Sequence, residues 1–493
     1  MRAISATPIA SIATNVVTVS ESSRPLLLGT FEDGTGYAYN LARPGGVKYL
    51  RRGTLAVLQK LIDESGNPPM LPARLAAVHS ALSAAGLIGG ASALSPSIER
   101  SPARTMTVWF HIANACNLSC AYCYIPNLVK AADEQTRAKY LMASADVENA
   151  VEQMFAACLR LGFRGLQIKF AGGEPTLNAD AIERACALAR RRAAETGIAI
   201  GFRILTNGVF DPGRMIPIFT ANGFGVSISV DGEPEEHDRI RFLLRRSDGS
   251  SGSDRGRFEK VGTWTFIQDN IAALQAAGLK PYLLCTITEN NLSTLGKLVA
   301  FCRVRQIGFR LSPVRDRTTS GRPGRQAEFA MVLSQLYSEI GATYPATMPI
   351  ERFARFAEWN LATPKDIACG SCRSMLAIDE RGNVSSCQMR LNAPVGSIRS
   401  SPLSTLFDRI RTAPEHEYMV APERKTGDCV RCDYRYVCAG GCPEHTRTVT
   451  GTTNAPSPWC DLYMALLPVY IRAVANQIKR AVDARLAVAP AVE

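Results

Sequence analysis

Six times between residues 104 and 315, an apolar run that reads as a strand ends in a polar or glycine turn and passes into a helical pattern. The strand-like runs are MTVWFHI, LQIKFAG, FRILTNG, GVSISVDG, PYLLCTIT and GFRLSPV, separated by helical patterns such as ADVENAVEQMFAACLRLG and TLGKLVAFCRV. Repeated β-then-α units of this kind predict a parallel sheet with right-handed crossovers. The expected fold is α/β, a partial (β/α)6 TIM-like barrel over residues 104–315. The turns that follow the strands are ANAC, GGEP, TNG, SVDG, TENN and PVRD. In parallel α/β folds, chemistry gathers in such loops at the carboxyl ends of the strands.

The flanks read differently. Residues 1–23 are rich in Ser, Thr and Ala and predict a flexible N-terminal arm. In residues 24–92, short apolar runs with turn glycines precede helical periodicity through TLAVLQKLID and ARLAAVHSALSAAGLIG, which predicts a small winged-helix-like α+β domain. A Ser/Pro linker, ASALSPSIERSP, closes it. The segment RRSDGSSGSDRGRFEKVG (245–262) reads as an exposed, mobile insertion. Residues 316–368 predict a helical bridge. The interval 369–460 holds eight of the fifteen cysteines and little periodic hydrophobicity, so metal rather than core is expected to hold it together. Residues 461–493 form a terminal helix and tail.

Fifteen cysteines in 493 residues raise a choice between disulfides, metal and catalysis. Disulfide frameworks belong to small secreted domains. The start, MRAISATPIASIATNVVTVSESS, has no continuous apolar core of an export signal. No window approaches the run of about eighteen apolar residues that a membrane helix needs. A cytoplasmic location, no membrane partner and metal-bound thiolates are the expectation. The formal net charge of +12 favours anionic partners. That figure counts cysteines as neutral, and each thiolate-ligated cluster would lower it by roughly one or two. No RNA-binding motif or aromatic-rich basic stripe is present, which argues against nucleic acid as partner.

The stretch ACNLSCAYCY (115–124) places Cys116, Cys120 and Cys123 in the loop after the first barrel strand. A zinc site with a distant fourth ligand is one reading, but structural zinc sites favour paired C-x2-C knuckles. Position favours a cofactor. With Tyr122 before the last cysteine, the motif resembles the radical S-adenosylmethionine (SAM) superfamily. The resemblance implies that the three thiolates hold a four-iron cluster whose fourth iron is left for SAM, an open metal position. SAM cleavage would then yield a 5′-deoxyadenosyl radical. The other loops match in order. Gly172, Gly173, Glu174 and Pro175 resemble the family's glycine-rich motif, with Glu174 receiving the SAM amino group and the glycines allowing close approach. Thr206 and Asn207, then Ser229 and Asp231, match the next strand ends. Arg241 of HDRIR is carried over as a SAM carboxylate contact.

The tail has its own pattern. Cys372, Gly382 and Cys387 are followed by Cys429-x2-Cys432-x5-Cys438-x3-Cys442 and by Cys460, with Cys369 just upstream. A zinc module remains a reading of the C-x2-C pair. At every spacing, however, the pattern resembles the SPASM extension of radical SAM peptide maturases. The resemblance implies two further four-iron clusters, three in all. Cys369, Cys372, Cys387 and Cys442 would hold one; Cys429, Cys432, Cys438 and Cys460 would hold the other. Cys158, Cys186, Cys285 and Cys302 fall in apolar patterns and read as core residues, as does His111.

Auxiliary clusters imply an electron exit, so an oxidative modification is expected. The expected enzyme is a maturase that cross-links a ribosomally synthesised precursor peptide, by a carbon–carbon or thioether bond, fed by a flavodoxin- or ferredoxin-type electron donor. Residues 24–92 resemble precursor-recognition domains that bind a leader peptide as an added strand. A structural cap on the barrel is the other reading of that unit. Anaerobic sulfatase-maturing enzymes share the cluster layout, but there an acidic residue follows the cysteine where this chain has Gln388. A non-catalytic iron–sulfur scaffold or electron carrier is the third reading.

Overall fold

Strand alternation in the N-terminal unit builds two cores at once. The computed structural model describes residues 16–18, 25–41, 45–63, 73–88, 104–126, 128–130, 134–246, 258–316, 320, 323–365, 367–412 and 422–488. Four antiparallel strands pair in chain order: β1 (Val16–Thr18), β2 (Pro25–Thr30), β3 (Gly36–Asn40) and β4 (Lys48–Leu50). Leu26, Leu28 and Ala38 share a core with Leu55, Leu58 and Ile62 of the helix Arg52–Asp63. Leu27, Tyr37 and Tyr39, one residue out of phase, join the main core instead. The sheet is therefore buried on both faces. The expectation of a flexible arm over residues 1–23 is corrected at Val16–Thr18, which pairs with β2; the rest of the arm and the linker ASALSPSIERSP lie outside the described residues.

The six predicted barrel strands are β5 (Thr105–Ala113), β6 (Gly165–Gly172), β7 (Ala199–Thr206), β8 (Gly225–Ser229), β11 (Tyr282–Ile287) and β12 (Gly308–Pro313). They pair in parallel in that order. Met106, Val108, Phe110 and Ile112 of β5 face outward and are fully buried with Val147, Val151, Met154 and Phe155 of the helix Ser144–Leu161. Each such side chain contributes about 1.5–3 kcal/mol by leaving water. Cys158, Cys186, Cys285 and Cys302 lie in this core, as expected. The alternate residues point into the lumen.

The insertion 245–262 differs from its reading at both ends. β9 (Phe242–Arg246) and β10 (Phe258–Gly262) form an antiparallel ladder, with residues 247–257 outside the described part. The sheet also reaches further than the six units. β13 (Ala354–Phe356) adds in parallel beside β12, and β14 (Met375–Ile378) adds in parallel beside β5. β15 (Asn383–Ser385) and β16 (Gly396–Ser397) follow by antiparallel pairing. Leu376, Ala377, Ile378 and Val384 are fully buried. This corrects the expectation that metal rather than core holds residues 369–460. A run of four apolar residues is too short to show a period, yet docking on β5 buries both its faces. The helix Cys460–Val488 packs along Pro323–Thr343, with Trp459 stacked on Phe329 at 5.1 Å. Among the described residues no helix is long and apolar enough to cross a membrane.

Candidate functional site

The cysteine loop leaves β5 and is held from three sides. The Cys116 N–H donates to Val129 O at 2.9 Å, the Ser119 N–H donates to Phe242 O of β9 at 2.9 Å, and the Asn117 amide donates to Val209 O at 3.0 Å. Cys116, Leu118 and Cys120 form a small buried cluster against Cys123, Leu128 and Leu243. Burial pushes the Cys116 thiol well above its usual range, and the charges of Glu174, Cys120 and Cys123 push the same way. Thiols gathered like this ionise only against a cation, as metal binding supplies.

Glycine is required where the β6 loop meets this one. The Gly173 and Glu174 N–H groups donate to Ala113 O and Ala115 O at 2.8 and 2.9 Å. A Cβ on Gly172, whose φ is +144°, would stand 2.3 Å from Ala113 O; one on Gly173 would stand 2.1 Å from Ala115 O. The close approach expected for a ligand is thus already made to the cysteine loop's backbone. The Glu174 carboxylate is fully buried and accepts from Thr176 N–H (3.1 Å), Thr176 Oγ1 (2.6 Å), Thr206 Oγ1 (2.8 Å) and Asn207 N–H (2.7 Å). Burial raises its pKa and the four donors oppose that rise. The carboxylate therefore ties the end of β6 to the end of β7 instead of standing free for an amino group. Pro175 begins the 3-10 turn that follows. The Asn207 amide donates to Asn117 Oδ1 at 2.7 Å and lies 3.7 Å from Cys116 Sγ, so the TNG turn touches the cysteine loop.

Asp231, Arg241 and Tyr122 form one buried unit. Arg241 Nε donates to Asp231 Oδ2 at 2.6 Å, and the Tyr122 hydroxyl bonds both Asp231 and Arg241. The Arg241 guanidinium stands 5.2 Å from the Tyr122 ring centroid, and its Nη1 lies 3.7 Å from Cys120 Sγ. Asp231 Oδ1 accepts the Thr286 N–H at 2.9 Å. Arg241 is thus at the cysteine loop, as expected, but with its nitrogens turned to protein partners. Ser229 ends β8 half-buried. His111 is buried with neither ring nitrogen bonded, and burial lowers its pKa to about 4.

The tail thiols fall into two groups by which charges they feel. Burial raises the pKa of Cys369 and Cys387, and the Cys442 charge adds to both. Cys372 lies in the same turn as Cys369 and is buried. Burial raises Cys429 to about 11, reinforced by Cys438 and Cys432, and raises Cys460 to about 12, reinforced by Cys429, Cys438 and Cys432. Between Cys438 and Cys442 the chain passes through three consecutive left-handed residues, Ala439, Gly440 and Gly441, with φ of +50°, +79° and +72°.

A backbone feature suits thiolates throughout. Cys116, Cys369, Cys387 and Cys438 each accept the N–H of the residue two positions on, at 3.3–3.4 Å. Such bonds stabilise sulfur charge and tune iron–sulfur clusters. Among the described residues no three His, Cys, Asp or Glu groups converge tightly enough to hold a single metal ion. The thiol donors and the backbone N–H groups on their sulfurs are of the kind that iron–sulfur clusters use. Inside the strands lies a cavity of about 1410 Å³ that Cys369, Cys387, Cys442 and Gln388 also line.

Sequence reasoning missed Asn117, which joins the cysteine loop to Asn207 and Val209, and the inward-facing cations of the strands. The first carried no motif. The cations did carry a signal: LQIKF, FRI and GFRL each place one basic residue in an apolar strand.

Parallel strands with a three-cysteine loop at their carboxyl ends define a cluster-bearing α/β enzyme fold, and comparison with known proteins says which. Residues 110–302 match the radical SAM superfamily. The chain carries a radical SAM domain and is a radical SAM enzyme, which implies SAM and a four-iron cluster. A cysteine-type anaerobic sulfatase-maturating enzyme of Clostridium perfringens is 23% identical over 345 residues, covering 67% of this chain and 86% of that protein. The pre-heme d1 synthase of Dinoroseobacter shibae is 24% identical over 402 residues, covering 75% and 89%. The solved structure of native anSMEcpe with bound AdoMet and Cp18Cys peptide superposes with a TM-score of 0.58 at 17% identity, over 76% of this chain and 99% of that one.

Proposed function

We propose that this chain is a radical SAM/SPASM maturase that oxidatively modifies a ribosomally synthesised precursor peptide, with a carbon–carbon or thioether cross-link as product. One observation supports it above the rest: the cavity inside the strands reaches Cys369, Cys387 and Cys442. A substrate in that cavity lies beside thiols suited to an auxiliary cluster, where an electron from an oxidised substrate could leave. The solved neighbour that shares the fold was found with AdoMet and a peptide.

In this reading Cys116, Cys120 and Cys123 hold the SAM cluster. Cys369, Cys372, Cys387 and Cys442 hold one auxiliary cluster, and Cys429, Cys432, Cys438 and Cys460 hold the other, for three four-iron clusters in all. When bound, SAM and its cluster supply a hydrogen-abstracting 5′-deoxyadenosyl radical. The backbone at Gly172–Pro175, with Tyr122, Thr206, Asn207, Ser229, Asp231 and Arg241, borders the SAM position. Asp231 fixes the Arg241 fork, and Glu174 fixes the TNG turn. Residues 24–92 serve as the leader-peptide unit, and a flavodoxin or ferredoxin supplies electrons.

Formylglycine formation on a sulfatase is the second reading, favoured by the curated relative. Against it stands Gln388, whose Oε1 is buried without a partner at the cavity wall. An amide cannot take up a proton at neutral pH. Anaerobic reconstitution should give about twelve irons per chain; a value near four would remove the auxiliary clusters. Turnover should then be followed by mass on acidic and neutral precursor peptides and on a sulfatase peptide. Modification of the sulfatase peptide alone would replace the first reading with the second.

A further inference from the structure

Four strands each place one cation in the lumen; that of β13, Arg355, donates to Trp359 O at 3.4 Å, and the other three lie on β6, β7 and β12. On β6, Ile168 and Phe170 are buried outward and Lys169 faces in; Arg203 between Phe202 and Ile204 on β7, and Arg310 between Phe309 and Leu311 on β12, do the same. Lys169 and Arg203 are direct partners in the β6–β7 register. Lys169 Nζ stands 5.0 Å from the centroid of the Trp109 ring, its partner on β5. Among the described residues, none of the three cations has a carboxylate within 4.0 Å, and Arg310 Nε is buried with no hydrogen-bond partner.

The acids of the same cavity are already engaged. Glu358 pairs with Arg315 and its charge also reaches Arg310 from beyond ion-pair distance, while Glu351 feels the charge of Arg355. Like charges gathered in a lumen disfavour one another, and for Lys169 and Arg310, which are partly buried, loss of water adds to that cost, whereas Arg203 at the cavity edge stays exposed. Burial, with the charges of Arg203 and Arg310, lowers the Lys169 pKa. An arrangement of this kind is relieved when a ligand brings the countercharge.

We propose that Lys169, Arg203 and Arg310 form the substrate's anion-recognition site, which takes a carboxylate of the peptide within the lumen. This rests on the reading that the lumen receives the substrate. The carboxylate comes from an acidic side chain or from the peptide's C-terminus; both present a planar anion that a guanidinium can grip with two parallel bonds. A peptide bound this way is held at a fixed depth beside the Cys369–Cys387–Cys442 group.

The test is binding to the reconstituted, SAM-loaded enzyme without reductant, so that no turnover is needed. Calorimetry would compare capped peptides bearing one Glu, the same peptides bearing Gln, and Gln peptides with a free C-terminal carboxylate. The Glu or the free-carboxylate peptide is expected to bind at least about tenfold more tightly than the capped Gln peptide. Whichever does so identifies the source of the carboxylate. Lys169→Met and Arg310→Met should each remove that preference, and Lys169→Arg should restore part of it. Iron content and SAM affinity should stay at wild-type values in all three. Equal binding of all peptides, binding of none at millimolar concentration, or an unchanged preference in both Met variants would overturn the proposal. A peptide that binds with this preference yet is never modified would instead count against the maturase reading alone.

Discussion

The Asp231–Arg241 pair offers a sharp stability test because its two halves should not fail alike. The Asp231 side chain is fully buried and that of Arg241 is 10% exposed. Asp231→Asn keeps the shape and still accepts the Thr286 N–H, but it leaves a buried guanidinium without a countercharge. Breaking a buried pair in this way costs about 3–5 kcal/mol. Arg241→Gln strands the carboxylate instead, and a stranded carboxylate can neutralise itself by taking up a proton, whereas a guanidinium cannot give one up. Asp231→Asn should therefore be the worse of the two. The double substitution leaves no unpaired charge and should regain at least half of the loss, a coupling of about 2 kcal/mol. Urea unfolding of the anaerobic protein, followed by circular dichroism, measures all four species. An Asp231→Asn midpoint equal to wild type, or a double variant at the sum of the singles, would refute the reasoning.

Three further outcomes follow from the geometry. His237 is fully buried, accepting the Asp231 N–H on Nδ1 at 3.3 Å and lying 3.1 Å from Thr263 Oγ1. Burial and then Arg241 lower its pKa from 6.5 to about 4. The unfolded chain binds the proton first, so stability is full above pH 6.5 and falls toward pH 4 by at most about 3 kcal/mol. His111 is lowered to about 4 as well, and burial also lowers His445, so His237→Gln should remove between about a third and a half of the loss of stability measured between pH 7 and 5.5. Gly173→Ala puts a Cβ 2.1 Å from Ala115 O and should open the cysteine loop, seen as loss of about four irons and of deoxyadenosine formation with the tail's absorbance kept. Cys387→Ala and Cys429→Ala should each remove about four irons, and the double variant about eight; a combined loss of only four would mean that the two groups share one cluster.

The strand runs were legible in the sequence because alternation and turn chemistry are local, and all six formed where expected. The cysteine loop was equally legible, since three thiols within eight residues meet whatever surrounds them. β13 and β14 were not, because runs of three or four residues show no period. The bonds that Glu174 accepts were not legible for a different reason. Its motif marks the place, but the direction of the carboxylate is set by Thr206 and Asn207, more than thirty residues on.

By itself, then, the sequence determined the parallel sheet, the loop with three cysteines and the turns that border it. Tertiary structure alone decided that Lys169, Arg203 and Arg310 meet in one lumen. The physical reason is register. Alternation tells each cation to face inward, but only the succession of paired strands from β6 through β7, β8 and β11 to β12 brings residues as far apart in sequence as 169 and 310 to one cavity, where the charges of Arg203 and Arg310 act on Lys169.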